Sequence, residues 1–174
     1  MIKSIKEVDK IIGDMLVKQS ELQRGSIVNG CSIRGVDLSK FVTEKVKLSY
    51  DLSDSVIIFE VKTNNNDDID FTEVEKDVVR ESLSLEVSVI IYGNQSLALA
   101  KVLKARFESE KVRNDLLDKE VYLSSVNEIT SMNEFINETI WPRADFNMDI
   151  ACEIQVSQID EMSEIDKTDM TVDT

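Results

Sequence analysis

From Asp145 to Val156 the chain alternates without a break. Phe146, Met148, Ile150, Cys152, Ile154 and Val156 take one parity; Asp145, Asn147, Asp149, Ala151, Glu153 and Gln155 take the other. A period of two sustained this long belongs to an extended strand, because successive side chains of a strand point to opposite faces. One face is apolar and the other wet, so the strand sits in an antiparallel sheet covered on one side. A second alternation runs through Leu83, Leu85, Val87 and Val89, becomes wholly apolar at Ile90 and Ile91, and stops at Tyr92-Gly93-Asn94. Two long strands of this kind need a partner layer for their apolar faces.

Helical periodicity supplies that layer. Ile5, Val8, Ile11, Ile12, Met15 and Leu16 recur at three and four, with Ser4 at the cap position and Gly13 in the middle. That glycine costs a helix about 1 kcal/mol against alanine and marks close packing. After the second strand, Leu97, Leu99, Ala100, Leu103 and Phe107 form a stripe, with Asn94 or Ser96 as cap. Val112, Leu116 and Leu117 anchor a further helix or helical turn. "SVIIFEVKT" (55–63) and "VYLSSVNEI" (121–129) read as strands. "SMNEFINETI" (131–140) reads as a short helix through Met132, Phe135, Ile136 and Ile140, with Ser131 and Glu134 spaced as a capping box. "RGSIVNGCSIRGVDLSKF" (24–41), rich in glycine, reads as a loop with one or two short extended pieces. The expected fold is α+β: one domain over residues 1–157 with an N-terminal helix, a mostly antiparallel or mixed sheet, helices packed on one face and a long C-terminal strand. Residues 158–174, rich in acids and without an apolar period, read as a mobile acidic tail.

Composition narrows function. The 174 residues carry 34 acids against 20 bases, a formal charge of -14, which removes the basic footprint of a nucleic-acid binder. The chain has no histidine, so the usual base near neutral pH is missing. Cys31 and Cys152 lack partners at zinc-ligand spacing, and Cys152 lies on an apolar strand face as a core thiol. Asp67, Asp68 and Asp70 crowd one polar loop but lack the glycine and final glutamate of a calcium loop, so a solvated loop between two strands is the simpler reading. Asp145, Asp149 and Glu153 share a strand face at steps of about 13 Å, too wide for one metal or an acid–base pair. No cofactor, metal or enzymatic activity is expected. The sequence has no apolar run of the roughly 20 residues that span a bilayer and no signal-peptide pattern, so a cytoplasmic site of synthesis is expected.

Arg143 stands at Trp141-Pro142, where the expected helix meets the last strand. Two readings are open. It pairs locally with Asp145 or caps the preceding helix, or it bridges to an acidic neighbouring subunit. Trp141 is either an anchor in a subunit contact or the rim of the core.

Three pieces in order, "LEVSVIIYGNQSLALAKVL", "VRNDLL…VYLSSVNEITSMNEFINETI" and "WPRADFNMDI", resemble the neck-terminator or tail-completion proteins of tailed bacteriophages and prophages, over about Ser82 to Val156. The resemblance puts the family signature on Arg143, Ala144, Asp145 and Phe146, beside Trp141 and Pro142, and the strand-ending turn on Tyr92 and Gly93. It implies a structural protein of the virion neck or the top of the tail, assembled in the host cytoplasm. Copies form a ring, often a hexamer, that caps the tail tube and receives the connector or a head-completion protein. DNA passes through the hole without specific binding, and no membrane is involved. Asp67, Asp68, Asp70, Asp149 and Glu153 are then candidates for lumen or contact acids. The polar loop "TNNNDDIDFTE" is a candidate projection toward an adjacent ring or a sheath. Rival readings are a head-side completion or connector adaptor protein, for which six and twelve copies are both open, and a small acidic inhibitor of a host protein.

Overall fold

A computed structural model describes residues 2, 4–30, 38–47, 51–63, 72–75 and 78–157. The two alternating segments are its centre. Strands β4 (Val78–Tyr92) and β7 (Thr139–Ser157) pair antiparallel from Val78↔Ser157 to Tyr92↔Arg143. That register brings the two apolar parities to one face: Leu85 opposes Ile150, Val87 opposes Met148, Val89 opposes Phe146 and Ile91 opposes Ala144, all buried. A slip of one residue would turn every one of them to solvent, so the pattern itself fixes the pairing.

Around this pair the sheet runs β1-β2-β4-β7-β5, with β3 (Thr72–Glu75) added to β4 and β6 (Thr130–Ile136) to β7. β2 (Val56–Thr63) is antiparallel to β4, and β1 (Ile27–Asn29) is parallel to β2, which makes the seven-stranded sheet mixed. β5 (Val121–Val126) borders β7 with an irregularity between Leu123 and Ser125.

Helices α1 (Ile5–Ser20), α3 (Ser96–Glu108) and α4 (Glu110–Leu117) cover the apolar face. Val8, Ile12, Met15 and Leu16 of α1, Leu99, Ala100, Leu103 and Phe107 of α3, and Val112 and Leu116 of α4 close one core against the sheet. Each such large side chain contributes about 1.5–3 kcal/mol by leaving water. Gly13 does mark close packing: a Cβ there would lie 3.1 Å from Cζ of Phe59. The Arg106 guanidinium donates to the Gln19 carbonyl and to Glu21, tying α3 to the end of α1. The caps differ from expectation. Ser4 occupies the α1 cap without a side-chain bond, and Gln95, not Asn94 or Ser96, is the α3 cap residue. Ser96 is buried inside the first turn, and Leu117 faces water.

Two segments depart from the sequence reading. Residues 38–45, which begin inside the expected loop and run past its end at Phe41, form α2 (Leu38–Lys45). Val42 and the following Val46 lie against Val56, Ile58, Tyr92, Ile136 and Trp141, a second small core on the opposite sheet face. This explains why β2 is apolar on both sides. The expected helix over 131–140 is instead β6, a two-residue turn and the start of β7. Asn137 and Glu138 both have positive φ, 47° and 62°, as a tight hairpin turn requires. A spacing of three and four over so few residues also fits a strand, and pairing with β7 decides the outcome. Glu134 therefore caps nothing. Residues 64–71, with Asp67, Asp68 and Asp70, and residues 158–174 lie outside the described residues, as does Cys31.

Candidate functional site

The signature residues gather where β4, β6 and β7 meet. Tyr92 opposes Arg143 across β4–β7, Met132 opposes Arg143 across β6–β7, and Glu134 opposes Trp141. Alternation then puts Tyr92, Glu134, Arg143 and Asp145 on the sheet face that α2 partly covers. The guanidinium grips Asp145 in a fork, Nε to Oδ1 at 2.8 Å and Nη2 to Oδ2 at 2.6 Å. Its third nitrogen, Nη1, donates to Glu134 Oε2 at 2.9 Å, and the Tyr92 hydroxyl donates to the same oxygen at 2.6 Å. The guanidinium carbon stands 5.7 Å from the Tyr92 ring centre, within cation–π range.

The electrostatics are those of a clamp. The Asp145 hydrogen bond, with help from Glu134, raises the Arg143 pKa despite burial. Burial pushes the Glu134 carboxyl up, but the bonds from Tyr92 and Arg143 and the arginine charge outweigh it and hold the carboxyl low. Burial and the bond to Glu134 push the Tyr92 hydroxyl far up, so it stays protonated and is no base or nucleophile. All three faces of the guanidinium are engaged inside one chain. The local pairing of Arg143 with Asp145 is present, and no helix precedes it to be capped.

Its neighbours are structural. Trp141 is buried in the second core, its indole N–H donating to the Ile136 carbonyl at 3.3 Å. Phe146 is buried in the main core. Pro142 lies within β7 rather than at a corner, one residue past the last β4 partner, where the absent N–H interrupts no ladder. Its carbonyl accepts from Gly93 N at 3.0 Å. Gly93 has φ +133°, and a Cβ there would lie 3.0 Å from Ser55 Oγ, so glycine is required. Asp149 accepts from Ser125 Oγ at 2.6 Å, and Glu153 is exposed on the same face. Burial pushes the Cys152 thiol up to about 11, in keeping with an inert core thiol. Among the described residues no group of three or more carboxylates or cysteines could hold a metal, and no helix is long and apolar enough to cross a membrane.

Two wider features were not read from the sequence. Charge is segregated by layer. The covering helices α1, α3 and α4 hold eight bases and six acids; the other described residues hold eight bases and seventeen acids. Exposed apolar side chains are segregated too. Of the eight large ones among the described residues, Leu117, Tyr122, Met132, Phe135 and Ile140 lie along the β5–β6 flank. Phe135 and Ile140 are direct cross-strand partners, 71% and 59% exposed.

Among curated proteins none matches the chain. A family model described as phage neck terminator protein matches residues 41–174. The match runs beyond the stretch legible as a resemblance, from within α2 through the acidic tail. The chain thus belongs to the phage neck terminator family, whose members are structural proteins of the virion neck, at the junction of head and tail.

Proposed function

We propose that copies of this chain close into a ring, six by the family resemblance, that ends the tail tube, receives the connector and lets DNA through. The observation that carries this reading is the polar, acidic face of the sheet that the three covering helices leave bare. Alternation puts Glu60, Ser84, Glu86, Ser88, Asn147, Asp149 and Glu153 there, and the one lysine of that stretch of β2, Lys62, is paired with Glu60 at 2.9 Å. A passage for DNA must not hold it. Carboxylates repel phosphates, whereas lysines and arginines grip them in a salt-dependent way. The part of this face that α2 does not cover is the lumen wall, with Asp149 and Glu153 among its acids. Asp67, Asp68 and Asp70 remain lumen or contact candidates on sequence grounds alone. The Tyr92–Glu134–Arg143–Asp145 clamp ties β6 to β4 and β7, so that each copy presents the same surface.

Three experiments test this. Particles assembled without the protein should carry tails of uncontrolled length or heads and tails that fail to join; normal joined particles would refute the role. Replacing Glu86, Asp149 and Glu153 together by glutamine or asparagine should slow DNA ejection, and an unchanged rate would remove the acidic wall from the account. Native mass spectrometry of the ring counts six subunits against twelve.

A further inference from the structure

We infer that the β5–β6 flank of one copy packs against the outer face of α3 in the next copy; this rests on the ring reading and names its contact. On the helix side, the flank exposes Phe135 and Ile140, direct cross-strand partners, and Leu117 of α4; Tyr122 and Met132 are exposed on its opposite face. Its charges are acidic: Asp118, Glu120, Glu128, Glu134 and Glu138 against Lys119 between residues 117 and 140. Aromatic residues and methionine are the types that contact surfaces concentrate. β6 is also an unguarded edge, seven residues without lysine, proline or bulge, and natural edges of that kind are covered.

The complementary surface must be apolar and basic. α3 is the helix that fits, with three bases, Lys101, Lys104 and Arg106, against one acid, Glu108. Its outer side exposes Leu97 at 38% and Val102 at 42%, the two remaining large apolar side chains besides Leu52. Between them Lys101 is exposed and makes no ion pair among the described residues, whereas Lys104 and Arg106 are bonded within the chain. For chains of formal charge -14, a contact between acidic surfaces would be repulsive, and joining the basic helix to the acidic flank avoids that. The two surfaces differ, so the contact is heterologous, each copy using both once, which is the form a closed ring needs.

The test uses two variants of the full chain, Phe135→Ser on the flank and the double change Lys101→Glu with Val102→Ser on α3. All three side chains are exposed, so both variants should keep the wild-type melting curve. Each alone should associate at least about tenfold more weakly than wild type in sedimentation velocity and form no ring. Mixed, they should form one-to-one heterodimers and nothing larger, because one intact flank then meets one intact α3. Variants that still form rings, or a mixture that associates no better than its components, would overturn the contact while leaving the ring standing. A wild-type chain that stays monomeric at every concentration would refute the ring and this contact with it.

Discussion

Replacing Arg143 by methionine tests the clamp. The side chains of Arg143, Asp145 and Glu134 are only 20%, 21% and 33% exposed. Methionine keeps much of the stem's volume but leaves two carboxylates close together with no counter-charge. Breaking a fully buried pair costs about 3–5 kcal/mol, and losing an exposed one about 0–1. A site about three-quarters buried falls between, at about 2–3 kcal/mol. For a domain of this size that lowers the midpoint by about 5–10 °C. Urea unfolding of the free subunit, followed by the fluorescence of the sole tryptophan, Trp141, reads the loss directly. The cost comes mainly from the stranded charges. Adding Glu134→Gln and Asp145→Asn to Arg143→Met should therefore restore more than half of it. The pH dependence has a fixed sign. The Glu134 carboxyl is held below its ordinary value in the folded chain, so its contribution is present above the unfolded pKa and lost as pH falls through the folded one. The gap between wild type and Arg143→Met should accordingly narrow below about pH 4. A single variant within about 0.5 kcal/mol of wild type, or a triple variant weaker than the single, would refute this reasoning.

Gly93→Ala should cost about 2 kcal/mol or more in the same assay, since it imposes an unfavourable φ and a contact with Ser55 at once. Asp9 has a buried, unpartnered Oδ1, and burial raises its pKa, with Glu60 adding to the shift against a bond from Asn29. Its stability contribution is present below the unfolded pKa and lost as pH rises through the folded one; Asp9→Asn should therefore raise the melting temperature at pH 7 and lose that advantage near pH 3. Cys152 should resist iodoacetamide at pH 8 in the native chain and react on denaturation, as peptide mapping would show; rapid native alkylation would contradict its burial.

The long elements were legible because their patterns repeat. β4, β7, α1 and α3 each offer enough residues for one period to win, and one period implies one buried face. α2 and β6 were not. α2 shows only Leu38, Phe41 and Val42 inside its eight residues as an apolar signal, and the three large apolar residues of β6, Met132, Phe135 and Ile136, are too few to decide between the periods. At the clamp, Asp145 was a foreseeable partner of Arg143, because residues two apart share a strand face. Glu134 and Tyr92 were not, since their approach depends on the β6–β7 and β4–β7 registers. Misreading β6 as a helix turned Glu134 into a cap and Pro142 into a corner. The charge segregation became visible only once α1, α3 and α4 were known to share a layer.

β7 is the last of the described strands along the chain, yet it lies inside the sheet, between β4 and the β5–β6 edge. On the ribosome, β4 is therefore made long before its main partner, and β5 and β6 have nothing to join until residues 139–157 emerge. Such long-range pairing is slow, and it leaves apolar strands uncovered in the meantime. A nascent or truncated chain has no finished flank to offer, which restricts oligomerisation to polypeptides whose synthesis has passed the final strand.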